Sequence, residues 1–147
     1  QLLDRFGLSV EVLTPDTVDE RIEVIKRRDD YDKHPEEYAA TWDKENRKLR
    51  NKIQKARKSL GSITVDSKIL EHCAQICIDL GSDGLRGELT LVRTARALAA
   101  FNGKERVDVG HIKTIAPMAL SHRLRRDPLD DAGSGTRVER SVQKIIG

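Results

Sequence analysis

The sequence predicts an all-α fold with a single short β-strand near its start. Charged residues make up 35% of the 147 residues and aromatic residues only 3%, a balance typical of packed helices. Ala, Leu, Ile and Val recur at helical spacing through most of the chain. Near the start, Leu8, Val10 and Val12 instead alternate with polar neighbours, as the residues of a strand do.

Two helices are predicted between the strand and Gly61. Thr17 and Glu20 have the spacing of a capping box, so the first helix begins there. Its buried face is predicted to consist of Val18, Ile22 and Ile25. Pro35 fits the first turn of a second, long helix that Gly61 ends. The apolar seam of this helix is predicted to consist of Tyr38, Trp42, Leu49, Ile53, Ala56 and Leu60.

Three further helices follow. Asp66 is predicted to cap the third helix, which ends at Gly81 in the way helices often terminate. The fourth helix begins at Glu88 and ends before Asn102, and its many alanines favour close packing against neighbouring helices. Asp108 is predicted to cap the fifth helix.

The chain ends in a sixth predicted helix. Pro117 lies inside the fifth helix and is expected to kink it or to shift its start. The small and acidic residues of 130–135 predict a flexible joint. Thr136 and Glu139 have capping-box spacing, so the last helix is predicted to begin there and to reach Ile146.

Composition restricts the class of protein. A net charge of +3, with acidic and basic residues interleaved, does not require a nucleic-acid partner. Cys73 and Cys77 lie four residues apart on one predicted helix, where a disulfide would close almost no loop and two thiols near His72 make a weak metal signal. We therefore predict buried thiols, no metal site and a reducing environment. No apolar stretch is long enough to span a bilayer, so a soluble, cytoplasmic protein is expected. A start at Gln1 rather than Met indicates a fragment.

Three motifs together point to a known family. They are Leu2-Leu3-Asp4-Arg5-Phe6-Gly7-Leu8, Asp83-Gly84-Leu85-Arg86-Gly87-Glu88-Leu89 and Ser121-His122-Arg123-Leu124-Arg125-Arg126-Asp127-Pro128-Leu129. The chain resembles the magnesium chelatase I subunit, and the bacteriochlorophyll type more than the oxygenic one. The resemblance extends over essentially the whole chain.

This resemblance implies an AAA+ ATPase and its partners. Residues 1–14 would be the C-terminal end of an otherwise missing N-terminal α/β core, and residues 15–147 its helical lid, with a long insertion before the sensor-2 helix. The intact subunit would use ATP and Mg²⁺, form a homo-oligomeric ring, and act with the D and H subunits to insert Mg²⁺ into protoporphyrin IX. Its location would be the cytoplasm, or the plastid stroma in a eukaryote. The chain contains no Gly-rich phosphate loop, so the isolated fragment is expected to be inactive.

The resemblance assigns a catalytic role to Arg5. This residue occupies the position of the arginine finger, which reaches into the ATP site of the neighbouring subunit. A guanidinium is planar and permanently charged, and it can stabilise charge that develops on a transferring phosphoryl group. By sequence pattern alone, Arg5 beside Asp4 reads more simply as a surface ion pair.

The resemblance assigns a nucleotide-binding role to Arg86. This residue matches the sensor-2 arginine, which contacts the phosphate of the same subunit's nucleotide from the lid. Gly84 and Gly87 flank it at a predicted helix start, where a close backbone approach and a helix N-terminus favour an anion. By pattern alone, Arg86 would pair with Asp83 or Glu88 in a capping loop.

Two basic groups leave alternatives open. The long second helix carries Lys44, Arg47, Lys48, Arg50, Lys52, Lys55, Arg57 and Lys58. This flank could follow a phosphate backbone, with Tyr38 and Trp42 available for base stacking, or could simply be a solvated face. The second group is His122, Arg123, Arg125 and Arg126. It could bind an anion or an acidic partner domain, or could neutralise the C-terminal end of a helix.

Other functions remain as rivals. The closest is the lid of a cobaltochelatase or of a MoxR-like AAA+ ATPase. A rival of another class is a basic helical adaptor that binds nucleic acid or a protein.

Overall fold

The computed structural model describes residues 5–82, 84–124 and 133–147. These ranges contain seven α-helices. They are α1 (Val18–Lys33), α2 (Pro35–Thr41), α3 (Asp43–Ser59), α4 (Ser67–Asp79), α5 (Arg86–Phe101), α6 (Val109–Leu120) and α7 (Ser134–Ile146). Two short 3-10 turns follow α3 and α6, at Leu60–Ser62 and Ser121–Arg123. The predicted helical fold is confirmed.

The strand predicted for residues 8–12 is not seen in the described part of the chain. A strand requires a neighbour that pairs with its backbone N–H and C=O groups. In residues 5–10 the pairing is with a helix instead, since the Ser9 N–H donates to the Met118 carbonyl at 2.8 Å. The described residues do contain an isolated parallel bridge, between Thr64 and Arg106.

Residue contacts divide the chain into two compact units. One unit comprises Gln1–Val10 and Lys55–Gly147, and the other comprises Glu11–Gln54. The boundary between Gln54 and Lys55 falls within α3. The division into residues 1–14 and residues 15–147 stays a prediction.

The hydrophobic core lies among α4, α5, α6 and α7. Its largest fully buried side chains are Ile76, Leu91, Ile112, Ile115, Leu120, Val138, Cys73 and Cys77. Ala95 and Ala99 are buried on α5, and their small side chains let the neighbouring α6 approach closely.

The predicted caps differ in their geometry. The Asp108 carboxylate accepts from the His111 N–H at 3.0 Å, whereas Asp66 precedes α4 without a side-chain hydrogen bond.

Two helix starts differ from their predicted positions. The fourth helix, α5, begins at Arg86 rather than at Glu88. The last helix, α7, begins at Ser134 with Gly133 as its N-cap, so the capping box predicted at Thr136 is wrong. Only Gly133 and the residues after it belong to the described part of the predicted joint. The α6 helix passes through Pro117, and the Ser121 N–H and Oγ both donate to the Pro117 carbonyl.

The unit of residues 11–54 contains α1, α2 and the first part of α3. The cap at Thr17 is confirmed, since its hydroxyl accepts from the Glu20 N–H at 3.3 Å. The predicted burial is wrong, because Val18, Ile22 and Ile25 are all exposed and no residue of α1, α2 or α3 is fully buried. The long second helix is two helices that meet at Trp42. Side-chain ion pairs four residues apart stabilise α1, and they join Glu23 to Arg27, Arg28 to Asp32 and Asp29 to Lys33.

Candidate functional site

Arg86 is the first residue of the sixteen-residue helix α5, and its side chain is exposed. The chain turns sharply just before it. Gly81 and Gly84 have φ values of +64° and +71°, which favour glycine, and the Ser82 N–H donates to the Cys77 carbonyl at 2.9 Å across the end of α4. This turn places Arg86 in the first turn of α5, at the end of a helix that favours anions.

The backbone beside Arg86 is held by close packing. Gly87 is buried, and a Cβ added to it would lie 2.9 Å from Ser82 Oγ, 3.2 Å from Cys77 Sγ and 3.4 Å from Leu120 Cδ2. The first turn of α5 therefore contacts both α4 and α6 directly. An exposed cationic residue thus lies next to a closely packed backbone position.

Arg5 is the first described residue, and it is exposed. The residues after it pack against the C-terminal end of α6. The Phe6 carbonyl accepts from Arg123 Nη2 at 2.8 Å and lies 3.0 Å from His122 Nε2. Because a carbonyl can only accept, this contact requires the proton of His122 on Nε2. Arg5 and Arg86 belong to the same compact unit.

Arg123 connects the segment after Arg5 with α5. Its Nε donates to the Ala119 carbonyl at 3.0 Å, and its Nη2 lies 3.4 Å from Thr90 Oγ1. The Thr90 hydroxyl in turn donates to the Arg86 carbonyl at 2.7 Å. Sequence reasoning missed this connection and the role of Thr90, because spacing along the chain carries no signal for contacts between such distant residues.

The structure favours the helix-end interpretation for part of the second basic group. The contact between Arg123 Nε and the Ala119 carbonyl satisfies an acceptor in the last turn of α6. The contacts to Phe6 were not predicted. Arg125 and Arg126 lie outside the described residues.

The aromatic residues of the other unit contact one another and two arginines. Tyr31 and Tyr38 meet edge to face with ring centroids 6.0 Å apart, and Tyr38 and Trp42 lie 6.4 Å apart. The Arg27 guanidinium lies 5.5 Å from the centre of the Trp42 ring. These contacts already engage the Tyr38 and Trp42 rings, and Trp42 is 39% exposed. The basic residues of α3 are all exposed, so the solvated-face interpretation is favoured.

Both cysteines are buried and free, as predicted. Burial raises the pKa of the Cys73 thiol to about 11 and that of Cys77 to about 12, and the nearby Glu88 carboxylate adds to both shifts. Such thiols stay protonated at neutral pH and are poor ligands and nucleophiles. The described residues contain no group of three or more His, Cys, Asp or Glu side chains placed to hold a metal ion.

A cavity of about 480 Å³ lies between α4, the start of α6 and the end of α7. Lys68, His72 and Lys144 supply its polar lining. It includes neither Arg5 nor Arg86, so it does not contribute to the predicted site.

Comparison with known sequence families decides the class of this domain. Residues 70–145, which include α5, α6 and most of α4 and α7, match the AAA lid domain. The chain belongs to the AAA lid domain family. Arg86 lies within the matched range of this lid domain, whereas Arg5 precedes it.

Two curated relatives are similar to this chain over nearly its whole length. The magnesium-chelatase 38 kDa subunits of Rhodobacter capsulatus and of Cereibacter sphaeroides are each 56% identical to it over 146 residues, or 99% of the chain. The chain spans only 42% and 44% of the lengths of these relatives. The predicted resemblance to the magnesium chelatase I subunit is confirmed.

A solved structure supports the fold of this chain. A crystal structure of a Cytophaga hutchinsonii protein superposes with a TM-score of 0.67, covering 99% of the chain and 47% of that protein. Sequence identity between the two is 17%, so this likeness concerns the fold alone. Among the described residues, none of the helices has the length and apolar character needed to cross a membrane.

Proposed function

We propose that this chain is the C-terminal part of the ATPase motor subunit of magnesium chelatase. The complete subunit would use ATP and Mg²⁺ to drive insertion of Mg²⁺ into protoporphyrin IX, in the cytoplasm of a bacterium that makes bacteriochlorophyll. The observation that carries this proposal is 56% identity to two magnesium-chelatase 38 kDa subunits over 99% of the chain. The AAA lid domain match supports the ATPase part of the proposal.

Arg86 is the proposed sensor of the subunit's own nucleotide. Its exposure, the rigid packing of Gly87 and its position at the start of α5 support this role. A phosphate at this position would be attracted both by the guanidinium and by the N-terminal end of the helix. The chain contains no Gly-rich phosphate loop, so the other nucleotide contacts would come from the N-terminal AAA+ core.

Arg5 is the proposed arginine finger for the nucleotide of the adjacent subunit. Its guanidinium would stabilise the charge of the phosphoryl transition state, a contribution of about 10³ to 10⁵ in rate for fingers of this kind. The finger requires a ring in which each subunit contacts the next head to tail. The D and H subunits would then receive the motion that hydrolysis produces.

The two roles predict an unusual result when inactive subunits are mixed. In the complete subunit, Arg5→Ala and Arg86→Ala should each abolish most ATP hydrolysis. In a mixed ring, an Arg5→Ala subunit can lie next to an Arg86→Ala subunit. The first then contributes an intact Arg86 to its own ATP, and the second contributes an intact Arg5 to the same ATP. Random mixing in equal amounts makes about a quarter of the interfaces complete in this way, so hydrolysis should return.

One outcome of the same mixing experiment would contradict the two roles. Absence of recovery would mean that the two arginines do not act on opposite sides of a subunit boundary. Arg96→Ala is the matched control, because Arg96 is an exposed arginine on the same helix as Arg86. Rings made wholly of Arg96→Ala subunits should hydrolyse ATP at the unmodified rate.

The rival functions predict other results. A cobaltochelatase or MoxR-like ATPase would also recover hydrolysis on mixing but would not insert Mg²⁺ into protoporphyrin IX. A nucleic-acid adaptor would bind DNA or RNA with an affinity that falls steeply with salt. We expect no such binding at low salt, because the net charge is only +3 and acidic residues are interleaved with the basic ones.

A further inference from the structure

The segment that follows Arg5 is attached to α6 and to the 3-10 turn after it, where His122 Nε2 also lies 3.0 Å from the Phe6 carbonyl. The Ser9 N–H donates to the Met118 carbonyl at 2.8 Å, and the Phe6 carbonyl accepts from Arg123 Nη2 at 2.8 Å. Phe6 itself is exposed, so its side chain contributes little to this attachment. The backbone next to Arg5 is therefore held mainly by polar contacts to the Phe6 carbonyl.

The Arg123 side chain is itself fixed in direction. Its Nε contacts the Ala119 carbonyl one turn earlier, and its Nη2 also lies 3.4 Å from Thr90 Oγ1. The Thr90 hydroxyl gives its proton to the Arg86 carbonyl, which leaves an oxygen lone pair for Arg123. A planar guanidinium can make these contacts together because its N–H groups point in fixed directions, whereas a lysine ammonium has no such fork.

We propose that Arg123 is a positioning residue for Arg5. It holds the Phe6 carbonyl against the end of α6, and Thr90 orients the guanidinium that does so. This inference rests on the proposed function, since it needs Arg5 to act on the nucleotide of the adjacent subunit. It extends that function to Arg123 in the motif Ser121-His122-Arg123.

Kinetics of the complete subunit test this role. Arg123→Lys keeps the charge but loses the fork, so Arg5 should be misplaced without loss of ATP binding. We expect kcat for hydrolysis to fall by about 10-fold to 10²-fold, the range that a misplacement near 1 Å produces, with KM for ATP unchanged. Thr90→Val should lower kcat in the same direction by a smaller factor, and Thr90→Ser, which retains the hydroxyl, should restore it.

Mixed rings separate positioning of Arg5 from a general defect of the lid. Arg123→Lys subunits should recover hydrolysis when mixed with Arg86→Ala subunits, because the latter supply a correctly placed Arg5. They should stay impaired when mixed with Arg5→Ala subunits, since neither partner then supplies one. A lid damaged in a general way would impair the subunit's own nucleotide site as well and would give no recovery with Arg86→Ala.

The outcomes distinguish the two proposals. If Arg5→Ala and Arg86→Ala subunits do not complement each other, the proposed function fails. If they do complement each other but Arg123→Lys leaves kcat unchanged, or fails to recover with Arg86→Ala subunits, the role of Arg123 is wrong. If Arg123→Lys subunits do not assemble, the kcat of Thr90→Val subunits tests the same role, because valine preserves the shape of the threonine side chain.

Discussion

Gly87 brings the first turn of α5 into direct contact with Cys77 on α4. A Cβ added at Gly87 would lie 3.2 Å from the Cys77 sulfur, closer than almost all real contacts of this kind. The same Cβ would lie 3.4 Å from Leu120 Cδ2. Cys77 and Leu120 are both buried, so neither can move away easily. The packing at Gly87 therefore leaves little room for a larger side chain beside Arg86.

Gly87→Ala should destabilise this chain by about 1–3 kcal/mol, the usual effect of overpacking a close contact. The better helix propensity of alanine offsets about 0.5–1 kcal/mol of that loss. Urea denaturation followed by circular dichroism measures the difference. Gly135→Ala on α7 is the matched control, because its Cβ would meet its nearest neighbour, Ser121 Oγ, at 3.9 Å. Its stability should be unchanged or raised, and equal losses for the two variants would contradict the packing at Gly87.

Local spacing accounts for most of what could be predicted about the fold. Helix ends depend on residues within a few positions of one another, so the sequence predicts the caps at Thr17 and Asp108 and the glycine after α4. The start of α5 at Arg86 was missed because Leu85 precedes it without a side-chain cap. The burial of Ile22 was predicted from periodicity, which shows that a helix has an apolar face but cannot show what covers it.

The sequence likewise predicts some features of the candidate site and not others. Arg5 and Arg86 are predicted through family motifs, each of which is a short continuous segment. The contact between Arg123 and the Phe6 carbonyl joins residues 117 positions apart and uses a backbone acceptor, which every residue possesses. A pattern of side-chain types therefore cannot predict this contact.

Ile76→Ala and Ile22→Ala compare the same substitution in two environments. Ile76 on α4 is fully buried, and its truncation should cost about 2–5 kcal/mol. Ile22 on α1 is 43% exposed, and its truncation should change the free energy of unfolding by about 0.5 kcal/mol or less. Urea denaturation of the two variants tests both values. A similar cost at both positions would show that the apolar face of α1 is covered in solution.

Asp108→Ala should destabilise the chain by about 0.5–2 kcal/mol near neutral pH, because α6 loses its N-cap. The hydrogen bond from the His111 backbone N–H is the main cause that lowers the pKa of the Asp108 carboxyl. A carboxyl whose pKa is lowered by folding stabilises the native state above its unfolded pKa of about 4. This contribution is lost as the pH falls through the lower folded value.

The pH dependence gives this prediction its measurement. The stability difference between the unmodified chain and Asp108→Ala should be largest near neutral pH and should shrink below about pH 4. Asp66→Ala is the matched control, since Asp66 is the N-cap of α4 but its side chain makes no capping hydrogen bond. A larger loss for Asp66→Ala than for Asp108→Ala would contradict the cap geometry.

The two thiols should resist modification as long as the chain is folded. Burial is the main cause that raises the pKa of Cys73 to about 11 and of Cys77 to about 12, so at pH 8 the thiolate fraction is lower than for a free thiol by a factor on the order of 10² for Cys73 and 10³ for Cys77. Both side chains are also almost completely inaccessible. A chromogenic disulfide reagent should react slowly with the native chain and rapidly with both thiols in urea. Fast reaction of the native chain would mean that the junction of α4 and α5 opens readily, and with it the packing that supports Arg86.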